Sequence, residues 1–247
     1  MAPGFGRPAD SPRRARSVAA SVRGRAPISI FVEALVLTIG GLFPIMNPFS
    51  TAPLYVSLTA GFDAKKRRRQ AIMACVYAFG ILATFLLLGS AIVEFFGISI
   101  PGIRAAGGLI ISSVGFGMLF PPPPQTPTAT ETAASQSRDQ ALDVAFTPLA
   151  MPSLAGPGSI SVVLSAAAQI RGDHPHNWEI IYVGVILGMA VTLVIAFIIL
   201  RAAELMVRFL GKGGMDAMTR IFGFLLICIG MQFLLTGVGD FFGLSRG

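Results

Sequence analysis

Two short stretches hold most of the residues that could do chemistry. "PIMNPFSTAP", residues 44–53, places three prolines, an asparagine, a serine and a threonine inside an apolar run from Ile28 to Thr59. "PLAMPSLAGPG", residues 148–158, does the same further on, with Ser153, Gly156 and Gly158 among its prolines. Laid one over the other without a gap, Pro44 falls on Pro148, Pro48 on Pro152 and Pro53 on Pro157, all at an offset of 104 residues, and Ser57 then falls on Ser161. Proline lacks an N–H and displaces the carbonyl four residues earlier, so each stretch predicts a helix break. The carbonyls freed by a break attract cations or an ammonium group. The helix that restarts beyond it presents unpaired N–H groups to an anion such as a carboxylate. Two such breaks facing each other form a zwitterion site without a charged side chain, and glycines 156 and 158 let a small ligand approach the backbone closely. The predicted site residues are therefore Asn47, Pro48, Ser50 and Thr51 with Pro152, Gly156, Pro157, Gly158 and Ser159.

The elements that must position these residues are membrane helices. The chain has 247 residues, 53% hydrophobic and only 13% charged, and its mean hydropathy is +0.73. That charged share is about half that of a soluble domain, too little to cover such a chain with polar surface. Six apolar runs are long enough to cross a bilayer: roughly 28–59, 70–96, 102–120, 143–169, 179–207 and 216–240. They predict an all-α membrane protein with six transmembrane helices, arranged as two inverted three-helix repeats in which helices one and four are broken. Residues 1–27 form an Arg-rich tail read as disordered, 28–120 the first repeat, 121–142 a polar, Pro-rich linker, 143–240 the second repeat and 241–247 a short tail. An odd number of spans per repeat makes the halves enter the membrane from opposite sides. A Pro/Gly-interrupted segment at matching positions of both halves is the sequence mark of a transporter's binding site.

The net charge of +7 does not point to nucleic acid. Eleven of the nineteen basic residues lie in two blocks, Arg7–Arg25 and Lys65–Arg69, that flank apolar spans and set topology. "KKRRR" between spans one and two puts that loop in the cytoplasm and both termini outside, while the six arginines of the tail argue the other way. Charges within or beside spans are functional candidates: Glu33, Glu94, Arg104, Arg201, Glu204 and Arg220. Arg104 and Arg220, near the ends of spans three and six, either snorkel to the interface or serve as gate residues. Arg201 and Glu204, three apart on one helix, are placed to pair. Gly107, Gly108, Gly115 and Gly117 allow close helix packing. "GKGG" at 211–214 lacks the GxxxxGK[ST] pattern of a phosphate loop and reads as a turn; "DHPH" at 173–176 is weak as a metal motif. Cys75 and Cys228 lie in apolar runs and read as packed hydrophobes. The spans hold no Ser/His/Asp set, zinc set or paired aspartates, so no enzymatic activity, cofactor or metal is expected.

The segments "NPFSTAPLYVSL", "FGISIPGIRAAGGLIISSVGFGMLFP", "AFTPLAMPSLAGPGSI" and "FLGKGGMDAMTRIFGFLLICIGMQFL" resemble the MarC family closely, from about residue 30 to 240. The resemblance implies a six-span bacterial inner membrane protein. The family is grouped with neutral amino acid transporters through SnatA-like members that carry glycine and alanine. Carried over, the nine residues above line the substrate path. Many members have aspartate-proline where this chain has Asn47–Pro48, a departure that bears on proton coupling: a carboxylate there could carry a proton and an asparagine cannot. The expected function is a secondary transporter or exporter of small neutral solutes such as glycine or alanine, with the lipid bilayer as surroundings and homo-oligomer formation left open. The alternative is a non-transporting accessory or scaffold protein that retains the fold.

Overall fold

The computed structural model describes residues 27–121, 145–173 and 177–244. The predicted tail, most of the 121–142 linker and the histidines of "DHPH" lie outside them. The regular elements among the described residues are all helices, with no strand. In chain order they form α1 (Pro27–Met46), α2 (Pro48–Leu58), α3 (Ala64–Phe95), α4 (Ile100–Leu119), a π-helical segment (Ala145–Leu154), α5 (Pro157–Asp173), α6 (Trp178–Gly211) and α7 (Gly213–Phe241). Five of these, α1, α3, α4, α6 and α7, are long and apolar enough to cross a membrane; α5 is shorter. The predicted spans 28–59 and 143–169 each appear as two pieces, α1 with α2 and the π segment with α5. The predicted turn at "GKGG" is narrower than expected: Gly211 alone (φ 65, ψ −176) interrupts an otherwise continuous run of helix from Trp178 to Phe241.

Local chemistry sets the helix ends. Asp63 caps α3, its Oδ1 accepting from Lys66 N–H at 3.2 Å. At the other end Gly97 (φ 62) takes the left-handed conformation, and the Ile98 and Gly97 N–H groups bond the Val93 and Glu94 carbonyls, a Schellman closure that only a residue tolerant of positive φ supports at low cost. Ser99 Oγ then accepts from Gly102 N–H to start α4.

Glycine sets the tightest packing. A Cβ on Gly108 would lie 2.5 Å from the Gly230 carbonyl, one on Gly115 2.6 Å from the Gly223 carbonyl, and one on Gly237 2.7 Å from the Pro101 carbonyl, so α4 and α7 run antiparallel with their backbones in contact. Of the four glycines expected to pack on this helix, only Gly108 and Gly115 lie in the seam. Gly107 faces Ser161 of α5 and Gly117 faces open space. On α6, Gly184 abuts Ala34 and the Phe31 carbonyl, and Gly188 abuts Thr38 and the Leu35 carbonyl, so α1 and α6 run parallel. Around this frame the core joins Leu42, Met46, Tyr55, Leu82, Leu86, Leu149, Leu154, Met189 and Leu200. Large apolar side chains such as Val36, Leu87, Val194, Ile198 and Phe224 point outward, as a lipid-facing surface requires.

Candidate functional site

The first break centres on Asn47. Pro48 cannot donate to the α1 ladder and disfavours helical backbone in the residue before it. Asn47 accordingly adopts φ 36, ψ 68, a left-handed conformation that Asn tolerates better than most residues. It then becomes the cap of α2: its Oδ1 accepts from Ser50 N–H at 3.3 Å. Its carbonyl accepts from Ser50 Oγ at 3.0 Å and Thr51 Oγ1 at 3.4 Å. Its Nδ2 donates to Met118 Sδ of α4 at 3.5 Å, so the amide reaches across to another helix and does not face lipid. Asn47 and Thr51 are both buried.

The second break is built differently. From Ala145 to Leu154 the backbone is π-helical, and Ala155 N–H bonds the Ala150 carbonyl at 2.8 Å, five residues back. The chain then turns at Ala155–Gly156, and Pro157 opens α5. Ser159 Oγ turns back to donate to the Leu154 carbonyl at 3.3 Å. Both predicted interruptions are thus present, but their register differs from the one the proline alignment gave. Pro48 opens α2, and its counterpart in position is Pro157, which opens α5; Pro152 lies inside the π segment. Asn47-Pro48-Phe49-Ser50 corresponds to Gly156-Pro157-Gly158-Ser159, an offset of 109 in place of 104.

The two breaks adjoin. A Cβ on Gly158 would lie 3.2 Å from Ile45 Cγ2, two residues before Asn47, and 3.1 Å from Ile111 Cγ1 on α4. Leu226 joins Ile45 and Ile111 in one apolar cluster beside Gly158. Gly158 is thus closely packed by apolar side chains. A cavity of about 420 Å³ does occur nearby, between α1, α5 and α6. Glu33, Thr38, Gln169 and Asn177 supply its polar groups, Leu42 and Val162 lie toward the breaks, and none of the nine predicted site residues lines it.

Two of the charged candidates, Arg104 and Glu204, have long-range partners. Arg104 does not simply snorkel. Its guanidinium pairs with Asp240 of α7 and donates to Gln169 Oε1 of α5, while Gln169 Nε2 donates to Ser165 Oγ at 2.7 Å. Arg220 is exposed, with no ion pair among the described residues. Glu204 pairs with Arg67 of the basic "KKRRR" run and not with Arg201, because α3 begins directly beside it. Arg67 also donates to the Thr59 carbonyl at 3.1 Å, and Tyr55 donates to the Arg67 carbonyl at 2.9 Å, tying α2, α3 and α6 together at one end. Cys75 and Cys228 are both free thiols. No cluster of metal-ligating side chains occurs among the described residues.

Comparison with known proteins places this architecture. Residues 32–242 match the family described as MarC family integral membrane protein. The chain is 40% identical over 210 residues to the inner membrane protein MarC of Salmonella typhimurium, covering 83% of this chain and 94% of the relative. The MarC protein of Citrobacter koseri matches at the same identity and coverage, and that of Escherichia coli O139:H28 is 38% identical over 208 residues. No solved structure matches. With 40% identity to proteins named for the inner membrane and five apolar helices long enough to cross it, the chain belongs to the MarC family of bacterial inner membrane proteins.

Proposed function

We propose that this protein is a secondary transporter or exporter of small neutral solutes, neutral amino acids such as glycine and alanine among them. Its path passes the two helix breaks: Asn47, Pro48, Ser50 and Thr51 on one side, Pro152, Gly156, Pro157, Gly158 and Ser159 on the other. The observation that carries this reading is the contact of Gly158 with Ile45, which brings two separate interruptions of helix together inside the protein. Irregular backbone at membrane depth is tolerated only where protein buries it or a cavity adjoins it, and interruptions at matching positions are how inverted-repeat transporters bind solutes. A left-handed Asn47 and a ten-residue π segment both cost stability, and such features concentrate where they serve a mechanism.

Helix directions support six passages. If only the five long helices crossed, strict alternation would make α1 and α6 antiparallel and α4 and α7 parallel, the reverse of the contacts described above. A passage made by the π segment and α5 restores both relations. Phe146 lies beside Tyr77, and Ala167 beside the position of a Gly89 Cβ. This passage therefore climbs along α3 from Tyr77 to Gly89, about 18 Å at the helical rise per residue. The glycine seam also supports an inverted repeat. The Gly108–Gly230 and Gly115–Gly223 contacts set α4 and α7 antiparallel, as the third helices of two inverted three-helix repeats would be. With the basic Lys65–Arg69 start of α3 in the cytoplasm, six passages put both termini outside.

The test is flux. Purified protein in proteoliposomes should exchange radiolabelled glycine or alanine faster than protein-free vesicles, with unlabelled neutral amino acids competing. Absence of both binding and flux across the neutral amino acids would favour the accessory or scaffold reading.

A further inference from the structure

The cavity between α1, α5 and α6 has polar and apolar ends. Asn177 begins α6, Gln169 lies near the end of α5 and Glu33 lies near the start of α1, so these three share one end of the molecule. Leu42, Val162 and Val163 line the other end, and the first lies five residues before Asn47. Beyond them Ile45 of α1 and Ile111 of α4 close over Gly158 at 3.2 and 3.1 Å from where a Cβ would be. At about 420 Å³ the cavity is within the range of small-molecule pockets, about 300–1,000 Å³.

We infer that this cavity is the water-filled vestibule of the solute path and that Ile45 and Ile111 form the apolar gate between it and the two breaks, an assignment that rests on the transport reading. Three observations carry it. First, Glu33, Gln169 and Asn177 give one end of the cavity groups that hold water. Second, Ile45 and Ile111 come from different helices yet meet over the same glycine, and both are buried together with Leu226, with Val162 of the cavity wall packed against them. Apolar constrictions gate membrane paths by excluding water. Third, Gln169 forms part of the cavity wall and is held by Arg104, whose other partner is Asp240. The wall on α5 is thereby fastened to the α4–α7 pair that carries Ile111.

The assignment is tested by thiol accessibility in full-length protein whose Cys75 and Cys228 have been replaced by alanine. Thr38→Cys in the vestibule should react with a membrane-impermeant, charged methanethiosulfonate added from one side only. Ser159→Cys, beyond the gate, should be protected. Adding Ile45→Ala should make Ser159→Cys react at least about tenfold faster, as when a rarely populated opening becomes common. Ile111→Ala, on the other helix, should act alike and serves if Ile45→Ala fails to give monodisperse protein. An unreactive Thr38→Cys would mean that lipid chains fill the cavity, and would overturn the vestibule. Protection of Ser159→Cys that survives both alanine variants would overturn the gate. Labelling reads water access without requiring flux, so a failed vestibule and a failed transport assignment give different results.

Discussion

Adding a single methyl group at Gly108 should damage the protein, while adding one at Gly117 on the same helix should not. A Cβ at Gly108 would lie 2.5 Å from both the Gly230 carbonyl oxygen and the Leu234 nitrogen, and 3.0 Å from the Leu234 Cα. All three are backbone atoms of α7, so no rotamer change relieves the clash; α4 and α7 must separate. Separation also opens the Gly115–Gly223 contact one turn-pair away, because both glycines share the seam. Overpacking of this kind costs about 1–3 kcal/mol. Nothing lies within 4 Å of a Cβ at Gly117 or at Gly80, where alanine removes only the backbone freedom of glycine and adds about 0.4–1 kcal/mol of stability. Gly108→Ala and Gly117→Ala should therefore differ by about 1.5–4 kcal/mol in equilibrium unfolding in mixed micelles. Equal stabilities for the two variants would refute backbone contact along the seam, and with it the antiparallel α4–α7 pairing that six passages rely on.

The remaining expectations concern the charges, the first break and topology. Arg104→Ala should cost about 1.5–3 kcal/mol in the same unfolding assay, because charged hydrogen bonds to Asp240 and Gln169 are both lost. Arg104→Lys should recover little, since one ammonium cannot reproduce the guanidinium fork. Glu204→Gln should cost less than about 1 kcal/mol, because the Glu204 side chain is 59% exposed. At the first break Asn47→Ala should lose the α2 cap, about 0.5–2 kcal/mol, and add strain at φ 36. For topology, Gly61→Cys should be labelled only from the cytoplasmic side and Ile98→Cys only from outside, since α3 separates them; the reverse pattern would mean that the arginine tail sets the orientation.

What could be read from the sequence was local. Low charge and long apolar runs announced membrane helices. Proline beside Asn and Gly announced the two interruptions. What could not be read depends on which helices become neighbours. Arg201 is near Glu204 in sequence, yet Glu204 pairs with Arg67, 137 residues away, because the start of α3 packs beside α6. Gly107 and Gly108 look alike in sequence, but the helical rotation between adjacent residues turns one toward Ser161 and the other toward α7. Gly158 is closely packed because Ile45 and Ile111 supply side chains from helices that sequence alone does not bring together.

The register of the breaks shows why residue matching can mislead even when it finds the right segments. Matching prolines rewards identity wherever proline occurs, but proline has different meanings at different places in a helix. At the first helical position its missing N–H costs nothing, and its fixed φ suits the helix. Pro48 and Pro157 hold that position, each opening the helix that follows its break. Pro44 and Pro53 lie inside α1 and α2, and Pro152 inside the π segment, where the ladder bends around them. Once aligned by position, the two breaks are chemically unequal. Asn47 caps its own helix, giving Ser50 N–H an acceptor before any ligand arrives. Gly156 has no side chain to offer, and Ser159 spends its hydroxyl on the Leu154 carbonyl behind it. The start of α5 thus retains more of its capacity to receive an anion than the start of α2 does. On the transport reading, a zwitterion bound between the breaks would direct its carboxylate toward Pro157–Gly158–Ser159 and its ammonium toward the carbonyls that end α1. Two helix breaks can in this way bind an unsymmetrical solute through backbone alone, because only one of them is capped by its own side chain.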